Sequence, residues 1–262
     1  MTRPDVAPDT RPAGQDTPLY VYGVIRSDAE PPQGLHGLGD QPVTLVAHGD
    51  CAAVVSPLPQ GRPLGERADL LAHQRVLSAL VDADLAVLPF RFGAAMTGQD
   101  AVAKELLAAN ADRFAGALDQ VDGRLELRLK GTYVQDTVLR EVMADDPEVA
   151  DLSQRLRQAP ADAADALYYD RVRLGELIAQ ALQRRREHDA RVLLERLAPT
   201  AREVAPKTPS RDEDVVDAAF LIDRDRRGDF EQAVDALGAE HADRIRLRLI
   251  GPLPPYDFVP GG

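Results

Sequence analysis

The chain has 262 residues, of which 44% are hydrophobic and 28% charged, enough for a globular core that needs no disulfide or metal staple. Forty-three Asp and Glu against 31 Lys and Arg leave a net charge of −12, which argues against nucleic-acid binding and against a basic membrane-surface helix. Cys51 is the only cysteine, so no intramolecular disulfide or thiolate zinc site can form. With no apolar run of the about 20 residues a membrane span needs and no signal-type start, the expectation is a protein of a reducing cytoplasm, without membrane contact.

Residues 1–18 hold Pro4, Pro8, Pro12 and Pro18 and predict a disordered tail. Leu19–Ile25 (LYVYGVI) then reads as a strand buried on both faces. Prolines and glycines punctuate a loop over 26–42, and Val43–Ala47 and Ala52–Ser56 form a hairpin closed at His48-Gly49-Asp50. Leu70, Leu71, Leu77, Leu80 and Val81 predict a helix over 66–82. Val87–Phe92 (VLPFRF) follows as an edge or irregular strand, because Pro89 cannot donate to a ladder. A second helix runs from Asp100 to about Leu118, and Leu125, Leu127 and Leu129 alternate with charges as a half-exposed strand ending at Gly131.

Helix formers fill 137–157 and 162–197, separated by Ala159-Pro160. The second segment would reach about 54 Å at 1.5 Å per residue, long enough to serve two packing partners. Strands over 201–206 and 214–222, a helix over 227–237 and a last strand over 244–250 complete the pattern before a proline-rich tail. RLELRLKG (124–131) and RIRLRLIG (244–251) echo each other. This suggests two α+β halves, each ending on a similar strand.

The chemistry-bearing residues are scattered. None of His36, His48, His73, His188 and His241 pairs with another at i, i+3 or i, i+4, so no metal site is expected. His73 reads as a satisfied helix histidine, and Cys51 as a buried inert thiol. The glycines of 34–39 open no helix under a phosphate, and no P-loop or nucleophile elbow occurs. No cofactor and no catalytic residue is expected. Arg184, Arg185 and Arg186, with Arg171, Arg173 and Arg191, make a basic stripe that reads either as a salt-bridged face or as a site for an acidic protein. Strand edges and a long amphipathic helix favour a protein-binding role.

Three stretches together resemble the gas vesicle protein F/L family. They are Leu19–Ile25, Val87-Leu88-Pro89-Phe90-Arg91-Phe92-Gly93, and the closing Ile250-Gly251-Pro252-Leu253-Pro254-Pro255-Tyr256-Asp257-Phe258-Val259. His73-Gln74 fits the helix before the middle stretch, and Phe90 stands where the family carries Leu or Met.

The resemblance implies an accessory protein of gas vesicle formation that binds the very hydrophobic shell subunit and other accessory proteins and acts early in assembly. Association with the vesicle follows from this. A minor structural component of the shell is the alternative, and a ferredoxin-like small-molecule binder a further one. The implied fold is α+β, two domains of ferredoxin-like flavour joined by helices, with no catalysis or cofactor. The expected spans are 19–135 for the first domain and 136–262 for the second with its extended tail. The candidate partner-binding residues are Arg91, Phe92, Tyr256 and Phe258. Arg91, the charged member of an apolar stretch, either pairs inside the fold or meets the partner. Tyr256 and Phe258, held by prolines, pack the terminal segment onto the body.

Overall fold

A computed structural model of the chain describes residues 17–160 and 167–259. Residues 1–16 of the expected disordered tail, and 162–166 of the expected long helix, lie outside the described residues. The chain divides into two compact units, one running to Gly123 and including Pro254 onward, the other Arg124–Leu253.

In the first unit, strands β1 (Leu19–Arg26), β2 (Thr44–His48), β3 (Cys51–Pro57) and β4 (Leu88–Pro89) form an antiparallel sheet in the order β2-β3-β1-β4, and β5 (Ala95–Met96) also pairs with β1. Helix α1 (Arg67–Asp82) covers one face: Ala72, Val76, Leu77 and Leu80 pack on Tyr20, Tyr22, Ile25 and Val54. The other face, with Leu19, Val21, Val24 and Val55, is covered by a helical run of α2 (Gln99–Ala101), a π-helical segment Val102–Leu107, a 3₁₀ turn and α3 (Ala111–Val121). Burial on both sides explains why β1 reads as unbroken apolar sequence. The parity of β1 changes at a register shift between Val21 and Gly23. Before it Tyr20 and Tyr22 face α1; after it Val24 faces α3 and Ile25 faces α1. A bulge of this kind shifts a strand's face assignment by one residue. Glycine is required there, since a Cβ at Gly23 would lie 2.6 Å from the Leu88 carbonyl oxygen. Pro89 occupies the short β4 on the outer side of β1, where its missing N–H costs no ladder bond.

The second unit runs β6 (Arg124–Tyr133), α4 (Gln135–Asp145), α5 (Pro147–Gln158), α6 (Tyr168–Leu197), β7 (Glu203–Pro206), β8 (Asp214–Asp223), α7 (Arg227–Glu240) and β9 (Ile245–Leu253), with sheet order β7-β8-β6-β9. This is the ferredoxin-like arrangement of a split βαβ pair. The first unit has the same strand order, with a loop over 27–43 where the second has helices. The architecture is α+β, and the topological repeat is present. The sequence echo marks a different relation. RLELRLKG is the first strand of the second unit, and it pairs antiparallel with RIRLRLIG, the edge strand of the same sheet.

Three local expectations change. The helix over 137–157 is two helices, because Asp146 caps α5 by accepting from the backbone N–H groups of Glu148 and Val149, and Pro147 takes the first helical position. Gly131 does not end β6. It lies inside the strand, where a Cβ would sit 2.8 Å from Val216 Cγ1 and 3.1 Å from Leu247 Cδ2. The charged side of β6 is less open than its alternation suggests: Glu126 is buried, and Arg128 makes two 2.7 Å hydrogen bonds to buried Asp217. Helix α6 spans 30 residues and serves two partners as expected. Leu193 and Leu197 pack on the sheet, while Leu174, Leu177, Ile178 and Ala181 pack with Val142 of α4 and Val149 of α5.

Candidate functional site

The three stretches that carry the family resemblance converge in the first unit around His73. Val76, Leu77 and Leu80 fix α1 on the sheet, which turns His73 inward against β1. Its Nδ1 lies 2.9 Å from the Tyr20 hydroxyl of β1 and its Nε2 3.0 Å from the Tyr256 hydroxyl of the closing segment. The backbone N–H of Gly93 donates to the Tyr20 oxygen at 3.1 Å, and Tyr256 donates to the Phe90 carbonyl at 3.2 Å. One neutral tautomer satisfies the whole chain. With the proton on Nε2, Tyr20 donates to Nδ1, Nε2–H donates to Tyr256, and Tyr256 donates to Phe90. Tyr20, Tyr22 and Phe92 surround the imidazole with ring centroids 5.7, 5.8 and 5.8 Å away. Burial pushes the His73 pKa down, partly offset by the Phe90 carbonyl, and burial pushes Tyr20 up to about 12. Both groups are therefore neutral near pH 7, as the relay requires.

Tyr22 continues the network into the 27–43 loop. Its oxygen accepts from the Leu38 N–H at 2.8 Å and lies 2.8 Å from Ser56 Oγ. At the start of α1, Arg62 makes a two-pronged pair with buried Asp69, at 2.6 and 2.7 Å. The hydrogen bonds from Arg62 lead in holding the Asp69 carboxyl down at about 2.

The sequence-derived candidates divide by exposure. Phe92 and Tyr256 pack partly buried against the α1 side of the core, and Phe258 is buried. Arg91 is exposed and makes no side-chain hydrogen bond or ion pair among the described residues. His73 is the hub that joins the three stretches. Its role as a satisfied helix histidine is legible in sequence, but its two tyrosine partners lie 53 and 183 residues away. In the second unit the C-terminal part of the arginine stripe is tied down within the fold. Arg184 pairs with Asp146 at 2.8 Å, Arg185 with Glu141 at 3.0 Å, and Arg186 donates to the Asp212 carbonyl. No group of three His, Cys, Asp or Glu among the described residues is placed to hold a metal ion, and no described helix is long and apolar enough to cross a membrane.

The family model described as "Gas vesicle synthesis protein GvpL/GvpF" matches residues 18–260. The chain belongs to the GvpL/GvpF family. This GvpL/GvpF chain is thereby tied to gas vesicle formation. It is 38% identical over 245 residues to gas vesicle protein F of Streptomyces sp. (strain CB03234), covering 92% of this chain and 98% of that one. It is 33% identical over 267 residues to gas vesicle protein L of the same strain, covering 92% of each. Its fold is that of the crystal structure of GvpF from Anabaena sp. PCC7120, with TM-score 0.81, 24% identity, and 92% of this chain and 98% of that chain covered. GvpF from Microcystis aeruginosa gives TM-score 0.74 at the same identity and coverage. In this GvpL/GvpF chain the three stretches on which the resemblance rests are drawn together at His73.

Proposed function

We propose that this GvpL/GvpF chain binds the hydrophobic shell subunit of gas vesicles and keeps it soluble during nucleation and assembly. Family membership over nearly the whole chain carries the reading. The physical task fits it: a shell monomer exposes strand edges and apolar faces that aggregate unless another protein covers them. The first unit offers complementary features. Strand β2 is an outer strand without Lys, Arg, Asp, Glu or Pro, paired on one side only. Leu70 and Leu71 stand exposed on α1. Arg91 projects from the stretch that Phe92 and Tyr256 anchor, so Arg91 meets the partner and these aromatics hold it in place, while buried Phe258 fixes the closing segment.

Co-expression of the tagged chain with the shell subunit tests the reading. The expected outcome is soluble subunit that co-purifies, with Arg91→Glu reducing recovery several-fold at unchanged thermal midpoint. A subunit that stays insoluble and never co-purifies would overturn the proposal. Retention of the chain in washed vesicles would instead mark it as a component of the shell.

A further inference from the structure

The N-terminal half of α6 carries an apolar face that stands in solvent. Tyr168, Val172, Gly175, Ala179 and Leu182 recur at steps of four, three, four and three residues, the spacing that keeps one seam of a helix turned toward a neighbouring helix. Tyr168 is 61% exposed and Val172 45% exposed. Gly175 and Ala179 are exposed as well, and a Cβ built at Gly175 meets nothing within 4 Å. At its C-terminal end the seam runs into a cleft of about 490 Å³ with Leu139 of α4 and Leu182 in its wall; Asp136, Asp212 and Glu213 line it against a single cation, Arg186, which donates to the Asp212 carbonyl, and Glu213 also pairs with Arg211 at 3.6 Å. Arg171 precedes Leu182 by 11 residues, close to three full turns, so both lie on one flank of the helix. Arg171 is exposed and makes no ion pair among the described residues. The face thus has a cation unpaired among the described residues at one end and, at the other, a cleft with more carboxylates than cations.

We propose that this face is the interface between two copies of the chain, with α6 packed antiparallel to its copy about a twofold axis at Gly175. A twofold interface must be complementary to itself, and this face meets the condition in shape and in charge. With Gly175 on the axis, Tyr168 of one copy comes opposite Leu182 of the second and so opposite its cleft. Val172 comes within one residue's rise of Ala179. The rotation keeps each flank on its own side, so Arg171 turns toward the acidic lining of the second copy's cleft. At the crossing point stands the one residue without a side chain, which lets two backbones approach closely. Two helix faces bury less than the about 800 Å² per partner of a standard stable complex, and each copy carries a net charge of −12. The dimer is therefore weak, forming on the order of tens of micromolar.

Sedimentation equilibrium of the full chain between about 1 and 200 µM reads the association directly. The expected result is a monomer–dimer equilibrium weakened at least about tenfold by Val172→Glu and by Gly175→Gln. A Cβ at position 175 meets nothing within 4 Å and Gly175→Gln raises helix propensity, so an unchanged or higher thermal midpoint separates lost pairing from lost folding. Gly175→Cys reads the register. Cys51 is buried, so mild oxidation crosslinks two copies through position 175, while Glu187→Cys, off the seam, does not crosslink. A chain that stays monomeric over the whole range overturns the proposal, also where another protein occupies the face. So does a dimer that survives both Val172→Glu and Gly175→Gln, or one that forms without a Gly175→Cys crosslink.

Discussion

His73 is held neutral by the residues that use it. The groups facing it are the hydroxyls of Tyr20 and Tyr256, the Phe90 carbonyl and the rings of Tyr22 and Phe92; none offers a carboxylate to a protonated imidazole. Protonation would turn Nδ1 into a donor and leave the Tyr20 hydroxyl proton without its acceptor. The folded pKa lies below the unfolded value of about 6.5, so the unfolded chain takes up the proton first. Stability is then full above about pH 6.5 and falls as pH drops toward the folded pKa. Urea denaturation at pH 7.5 and 5.5 should show the first unit losing stability at the lower pH, and His73→Gln should flatten that dependence. Tyr256→Phe removes the group that accepts from Nε2 and donates to Phe90, and should lower stability by about 1 kcal/mol at pH 7.

Among elements, β6 and α6 organise the second unit. The Tyr133 hydroxyl at the end of β6 and Arg244 before β9 both donate to Asp189 Oδ2 of α6, each at 2.7 Å. Removing the carboxylate strands the buried Tyr133 phenol and leaves Arg244 with Glu141 alone, 3.0 Å away, so Asp189→Ala should cost about 2–3 kcal/mol in urea denaturation with an unchanged m value. Gly131 shows the steric limit of the same sheet. Its missing Cβ is the space that Val216 and Leu247 fill. Gly131→Ala should lower stability by about 1–3 kcal/mol through overpacking, read from the same denaturation curve.

At the scale of the whole molecule, each unit owns its core. Two clusters lie within the first unit and two within the second. The chain leaves the first unit at Gly123 and returns to it at Pro254, so its last residues stabilise the unit begun by its first. Deleting residues 254–262 removes Tyr256 from His73 and Phe258 from the core. Amide exchange in β1 and α1 should accelerate while exchange in β6 and β8 stays unchanged. Equal acceleration in both sheets would contradict this division.

Short-range physics was legible in the sequence alone. The apolar run of β1 and the period of α1 each follow from local patterning, because a residue's nearest neighbours decide its periodicity. The family resemblance was legible too, since it rests on three contiguous stretches. The break at Asp146-Pro147 had a readable signal, an N-cap followed by proline, that helix composition outweighed. What the tertiary structure decided is every relation between distant residues: the pairing of the two echoing strands with each other, the parity change at Gly23, the partners of the arginine stripe, and the meeting of Tyr20, Phe90 and Tyr256 at His73. Such contacts depend on how strands and helices pack in three dimensions, and one sequence records the residues of each pair without recording that they pair.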